Sequence, residues 1–131
     1  MNSVSVYASA IDMSQARVRA YRRGLFAEAL AAFLFRLKGY RVVARRYKTP
    51  VGEIDLVALR GKRLTFIEVK ARQSREDAAW TLPTRQRRRI VRAAQYWLAS
   101  HPDFAGYDMA FDVVLAAPWR WPHHIVDAFQ I

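Results

Sequence analysis

Asp55, Glu68 and Lys70 fall on two neighbouring runs rich in β-branched and aromatic residues, Val51 to Leu59 and Leu64 to Ala71. Between the runs stands Arg60-Gly61-Lys62-Arg63, where Gly61 at the first central position suits a two-residue type II′ hairpin turn. With Gly61 and Lys62 as the loop, Asp55 lies opposite Glu68 and Glu53 opposite Lys70, so one face collects three acids and a lysine. Acids that face each other across adjacent strands have Cβ atoms roughly 5 Å apart and repel, at a cost that grows with burial unless a cation intervenes. A divalent metal removes that conflict, and Mg²⁺ prefers carboxylate oxygens, taking one or two while it keeps waters and substrate phosphate oxygens. Lys70, two residues beyond Glu68 and so on the same face, could orient an attacking water or offset charge on a pentacovalent phosphate. The chemistry would be phosphodiester cleavage. The same spacing also allows a solvated Glu53–Lys70 ion pair at an exposed sheet end, with Asp55 and Glu68 merely wet.

Glu28 adds a further acid. It is the lone charge between Gly24 and Phe35, and its neighbours at helical spacing are Gly24, Ala31, Ala32 and Phe35. A carboxylate among small residues must find a cation or donor if that face is buried. Packing of the helix over the acidic end of the hairpin would provide one, and so would an arginine.

The elements that must position these residues are readable from periodicity. Residues 1–13 lack it and read as a flexible arm, with helix starting as early as Ser14. From Gly24 to Lys38, Leu25, Phe26, Ala29, Leu30, Phe33, Leu34 and Leu37 recur at helical spacing, and Gly39 supplies the stop. Tyr40 to Ala44 reads as a strand before the hairpin, making a three-stranded meander. Within the hairpin, Val57, Leu59, Leu64 and Phe66 share the acidic face, while Ile54, Leu56, Ala58, Thr65, Ile67 and Val69 take the other. After a polar stretch from Arg72 to Asp77, Thr84 to Ala99 carries Ile90, Val91, Ala94, Trp97 and Leu98 on one helical face. Ala110 to Leu115 is a strand interrupted by Asp112, and His123 to Ile131 is an edge strand or short helix. The order αβββαβ describes one α/β domain, with helices around a mixed sheet.

Composition narrows the classes. The 131 residues are 53% hydrophobic, and no apolar run approaches the roughly 20 residues needed to span a bilayer. Cysteine is absent, which excludes disulfides, cysteine zinc sites and a cysteine nucleophile together. No basic stretch followed by an apolar one opens the chain, so the cytoplasm is the expected location. Twenty-two Lys and Arg against 11 acids give a formal charge of +11 and call for a polyanion, nucleic acid first and an anionic membrane surface second. Arg85, Arg88, Arg89 and Arg92 draw one basic stripe along the second helix, with no acid between Thr84 and Ser100 to balance it. It tracks phosphates or is a solvated face. Arg41, Arg45, Arg46, Lys48 and Arg72 extend the positive field near the acidic end. Trp119 and Trp121, flanking Arg120, either stack on unpaired bases or plug the core, with the plug favoured. His123 and His124 point apart in a strand and read as structural or surface residues. No glycine-rich phosphate cradle and no Ser/His/Asp setting rivals the acidic hairpin.

Laid out this way, the chain resembles the restriction-endonuclease-like superfamily, whose PD-(D/E)xK signature puts an Asp on one strand and Glu-x-Lys on the next, here Asp55 and Glu68-Val69-Lys70. More closely it is similar to the YraN family of predicted endonucleases. The motifs that carry this are Gly52-Glu53-Ile54-Asp55-Leu56, Glu68-Val69-Lys70-Ala71-Arg72, Ala94-Gln95-Tyr96-Trp97-Leu98, Phe111-Asp112-Val113-Val114 and Asp127-Ala128-Phe129. The family usually has a Lys near the start of the second helix, where Arg85-Gln86 stands, and an Asn near position 46, where Arg46 stands. The resemblance implies a central mixed sheet flanked by helices, with Glu28 joining Asp55, Glu68 and the Val69 carbonyl at a Mg²⁺ or Mn²⁺ ion. On this reading Lys70 positions water for attack on DNA, structured or branched DNA among the candidate substrates, while Arg72 and the arginine stripe are the nucleic-acid contacts expected from charge and spacing, and no membrane partner is expected. The competing reading is a catalytically silent nucleic-acid-binding module of the same fold, and a distant third is an adaptor at a protein or membrane surface. Cutting two strands would favour a symmetric homodimer.

Overall fold

The computed structural model of the chain describes residues 3–72, 82–117 and 119–130. In chain order these form α1 (Ser3–Leu37), β1 (Arg41–Thr49), β2 (Gly52–Arg60), β3 (Arg63–Ala71), α2 (Thr84–Ser100), a 3₁₀ turn (Pro102–Phe104), β4 (Asp108–Ala116) and β5 (His123–Phe129). The strands make one sheet in the order β1-β2-β3-β4-β5. β1, β2 and β3 are the antiparallel meander that the punctuation predicts, β3 and β4 run parallel, and β5 returns antiparallel to β4. A parallel neighbour needs a crossover, and α2 lies within it.

The two helices sandwich the sheet because each presents one apolar stripe. Ala27, Ala31, Ala32, Leu34 and Phe35 of α1 pack on Leu56, Ala58, Ile67, Val69, Val114 and Ala116. Alanine dominates this contact and lets the helix approach the strands closely. Ile90, Ala93, Ala94 and Trp97 of α2 pack on Val57, Leu64, Phe66, Phe111 and Phe129 on the opposite side. The segment 123–131, open between strand and helix in the sequence, is strand through Phe129 because Val113, Val114 and Leu115 pair with Ile125, His124 and His123.

Several details differ from the expectations. The helix begins at Ser3 rather than near Ser14, so the arm is helical from there; positions 13–23 are exposed, and it is the run of good helix formers around Ala16 and Arg17, not an apolar stripe, that continues the helix there. β1 runs to Thr49 rather than stopping at Ala44, since pairing of Arg45, Tyr47 and Lys48 with β2 outweighs their polarity on an edge strand. The polar stretch beyond Arg72 lies outside the described residues.

At the hairpin the register is the one the turn dictates. Gly61 has φ 58°, and the pairs run from Arg60↔Arg63 to Leu56↔Ile67. There the ladder ends, so Asp55↔Glu68 and Glu53↔Lys70 are not rungs, and Glu53 is partnered instead by Lys48 of β1. Alternation on β2 breaks at the same point. Ile54 packs with Val57 in the α2 layer rather than with Leu56 and Ala58, and Arg46, between the Arg45↔Leu56 and Tyr47↔Ile54 pairs, takes φ 52°.

Candidate active site

The acids gather where β2 leaves β3. Asp55 Oδ2 accepts a hydrogen bond from the Val69 backbone N–H at 2.8 Å, which occupies a donor that a strand carbonyl would otherwise take. Lys70 Nζ lies 2.9 Å from Glu68 Oε1, two residues back on the same strand. Asp55 is pushed up to about 8: burial is the main cause, the Glu68 charge adds to it, the Val69 N–H opposes it, and Glu28 raises it further. Glu28 is also raised, by burial first, against the pull of Arg46 and with repulsion from Glu53 and Glu68. Those cross-influences tie α1, β2 and β3 into one electrostatic unit.

Glu28 finds the arginine that its isolation in the sequence allowed for, and it also feels the hairpin acids. Arg46 Nε is 3.5 Å from Glu28 Oε2. Charges at that distance attract, yet both atoms are buried without a hydrogen-bond partner, so the geometry leaves an acceptor on Glu28 unused. Arg46 also lies over the Tyr21 ring, 5.7 Å from its centroid. Its φ of 52° is a conformation that Asn adopts with less strain. The expected Glu53–Lys70 cross-strand pair is not the arrangement found, because Lys70 turns to Glu68.

Among the described residues no three of Asp, Glu and His form a ready-made metal cage. The donor set nonetheless suits a hard cation: Asp55 is half-buried beside a second carboxylate at a cost in free energy, and Glu28 Oε2 is a buried acceptor in want of a partner. Asp55, Glu68, Glu28 and the Val69 carbonyl are the oxygens that would hold it.

The predicted basic contacts stand on α2 and just after β3. Arg85, Arg88, Arg89 and Arg92 are exposed and, with Thr84, line a shallow depression of about 550 Å³. At Gly52 a Cβ would sit 3.3 Å from the Arg89 carbonyl oxygen, so α2 rests on the first residue of β2, three residues before Asp55 in the chain. Arg72 follows β3, donates from its backbone N–H to the Ala116 carbonyl at 2.7 Å, and turns its guanidinium to the Ala71 carbonyl at 3.0 Å. Trp119 and Trp121 are not a core plug: Trp119 is fully exposed and Trp121 is 67% exposed. The core is closed without them by Phe66, whose ring contacts those of Trp97 and Phe111.

A second polar centre, not among the expected site residues, surrounds Asp112. Asp112, fully buried, accepts from His124 Nε2–H at 2.7 Å and from the Asp127 N–H at 3.0 Å, and lies 3.5 Å from Arg63, which also pairs with Asp127 at 3.1 Å. His124 Nδ1 accepts from Lys38 Nζ at 2.7 Å, so the ring carries its proton on Nε2. This network fastens β5 and the C-terminal end of α1 to the sheet, which makes His124 structural. Its signal in the sequence was the charge that interrupts an apolar strand.

A five-stranded mixed sheet between two helices, with an Asp and a Glu-x-Lys at the opening of its central hairpin, defines a protein of the restriction-endonuclease-like α/β class. The sequence pattern described as "Uncharacterised protein family UPF0102" matches residues 27–116. A UPF0102 protein of Parvibaculum lavamentivorans is 59% identical over 111 residues, covering 85% of this chain and 84% of that protein. UPF0102 proteins of a Bradyrhizobium species and of Rhodopseudomonas palustris are 50% and 51% identical over 114 residues, each covering 87% of this chain and 84% and 87% of their own lengths. The chain belongs to the UPF0102, or YraN-type, family. No helix among the described residues is long and apolar enough to cross a membrane.

Proposed function

We propose that this protein is a Mg²⁺- or Mn²⁺-dependent endonuclease acting on DNA phosphodiester bonds. The observation that carries the reading is the crowding of Asp55 and Glu68 at the splayed end of the hairpin, with Asp55 held protonated up to about pH 8. A fold has little reason to bury one carboxylate against another unless a cation or a proton is meant to come and go there. When bound, the metal would supply Lewis-acid stabilisation of the phosphate and a lowered pKa for an attacking water.

The chain's own groups do the rest. The Val69 N–H fixes Asp55 in one rotamer, so the carboxylate need not be ordered when substrate arrives. Lys70, a quarter exposed and anchored on Glu68, can swing its ammonium to a phosphate oxygen or hold the nucleophilic water. Glu28 reaches in from α1 with an unused oxygen. The exposed arginines of α2 hold the phosphate backbone across the site without reading sequence.

A second reading has an observation of its own. Glu68 is paired with Lys70 and Glu28 with Arg46, so the acids are balanced by the protein itself, as a silent nucleic-acid-binding module of the same fold would require. One experiment separates the two: cleavage of branched, nicked and single-stranded DNA by the wild type and by Asp55→Asn, with and without Mg²⁺ or Mn²⁺. Metal-dependent cutting lost in the variant supports the enzyme. Salt-sensitive binding with no cutting of any substrate supports the module.

A further inference from the structure

On the α1 side of the same sheet end lies a half-open apolar pocket of about 260 Å³, walled by Phe26, Ala27 and Leu30 of α1 and by Ala71, Ala116 and Ala117 at the ends of β3 and β4. Arg22, Arg23 and Arg72 stand around it. Two of its walls adjoin the acidic site in sequence: Ala27 precedes Glu28, and Ala71 follows Lys70, so at roughly 3.3 Å per residue along β3 the pocket begins one strand step from the lysine. We propose that this pocket seats one unpaired nucleobase of the strand whose phosphate lies at the acidic hairpin. The inference rests on the nuclease reading and names its substrate class: DNA with an unpaired nucleotide, rather than continuous duplex.

Three features converge on that occupant. Apart from the three arginines the pocket is lined by Phe26, Leu30 and alanines, apolar surface and an aromatic edge that suit the face of any base and discriminate none. Phe26 is 69% exposed, a large apolar ring left in water that a stacked base would cover. Arginines at the rim match the charge of the two phosphates that flank an extruded nucleotide, whereas an apolar protein segment would have no use for them. The exposed Trp119 lies two residues past Ala117, within about 7 Å along the chain, and with Trp121 offers the neighbouring bases further stacking surface. Duplex DNA keeps its bases stacked inside, so entry costs least where the nucleotide is already unpaired, at a bulge, flap or junction.

The test is fluorescence anisotropy of the full chain in EDTA on three duplexes of one sequence: fully paired, with a central one-nucleotide bulge, and with the same bulge made abasic. A second recording uses 2-aminopurine as the bulged base. The wild type is expected to bind the base-bearing bulge about tenfold tighter than the abasic one, as stacking of one base implies, and to change the 2-aminopurine emission. Ala117→Phe, which fills the pocket, and Phe26→Ala, which removes its stacking edge, should each bring the base-to-abasic ratio near one. A wild-type ratio of one, or a ratio that survives in both variants, overturns the proposal. So does a pocket occupied otherwise: Ala117→Phe dispersing a dimer in sedimentation, or abolishing binding to anionic vesicles, while the ratio holds. Cleavage is scored separately. A wild type that shows base preference but never cuts removes the nuclease reading and keeps the pocket, and one that cuts without base preference does the reverse.

Discussion

Replacing Asp55 with Asn tests the electrostatic core of the site without invoking a substrate. The carboxylate has an ordinary value of 3.8 and is pushed up to about 8 in the folded chain, chiefly by burial and by Glu68. Between those values the folded protein holds a proton that the unfolded chain has lost. That contribution to stability is complete below pH 3.8 and disappears as pH rises through about 8. One proton corresponds to about 1.4 kcal/mol per pH unit, so pH 5 to pH 8 removes about 4 kcal/mol at most, and solvent reaching a half-buried site reduces this to roughly 2–4 kcal/mol. Asn accepts the Val69 N–H with its own oxygen and carries no charge to repel Glu68. Urea denaturation in EDTA should show the variant gaining on the wild type by roughly 2–4 kcal/mol from pH 5 to pH 8. Added Mg²⁺ at pH 8 should then stabilise the wild type, by about 3 kcal/mol at a hundredfold excess over its dissociation constant, and the variant far less. Parallel pH profiles for the two proteins would refute the reasoning, because they would mean that Asp55 is ionised and solvated in the folded state.

Other consequences are open to direct measurement. Lys70→Ala should lower kcat for DNA cleavage about 10²–10³-fold while KM stays near its wild-type value, since the ammonium acts on developing charge; an unchanged kcat would remove it from the chemistry. Arg88→Ala and Arg92→Ala should each weaken DNA binding uniformly across sequences and reduce the slope of log K against log salt by about one, checked by anisotropy over a salt series. Asp112→Ala leaves the buried His124 ring and the Asp127 N–H without their acceptor and Arg63 with Asp127 alone, and should cost about 1–3 kcal/mol in urea denaturation, with the near-ultraviolet circular dichroism showing whether β5 stays docked. Binding of Mg²⁺ at pH 7 should release close to one proton per site in weakly buffered calorimetry, and release that does not fall above pH 9 would argue against Asp55 as its source.

The sheet was legible where pattern and turn chemistry agree. Gly61 fixed the hairpin register through Leu56↔Ile67, and the apolar face read on α2 is the buried one, whereas on α1 only Leu34 of the expected positions is buried: Phe26, Phe33 and Leu37 are exposed, and Ala27, Ala31, Ala32 and Phe35 make the contact because small side chains let the helix approach the sheet. What stayed hidden is the departure from regularity at the site itself. Alternation places Ile54 with Leu56, yet it lies in the other layer, since nothing in a two-residue period reports that Arg46 takes a left-handed conformation across from this stretch. A strict register likewise puts Glu53 opposite Lys70, whereas the side chain of Asp55 takes the Val69 N–H and ends the ladder. Trp119 and Trp121 misled in a different way: composition measures how apolar a loop is, not whether a cavity remains for it. The pocket between α1 and the ends of β3 and β4 is not legible in the sequence, because the helical period counts Phe26 and Leu30 as core positions and does not tell a covered apolar side chain from an open one.

The charge balance at the hairpin would let the proposed metal site fold without its metal. Glu68 is answered by Lys70 and Glu28 by Arg46, and Asp55, which has no ion pair among the described residues, is pushed up to about 8 and so keeps a proton at neutral pH. The metal-free site is therefore close to neutral, and neither α1 nor the hairpin has to enclose uncompensated charge as the sheet closes. In the proposed enzyme Asp55, Glu68 and Glu28 would hold a divalent cation in place of one proton and two ion pairs, which would leave the Lys70 ammonium available to a phosphate oxygen. On this view the ion pairs are the resting state of the same machinery, and the distinction between a silent binding module and an enzyme reduces to whether a cation can displace the Asp55 proton.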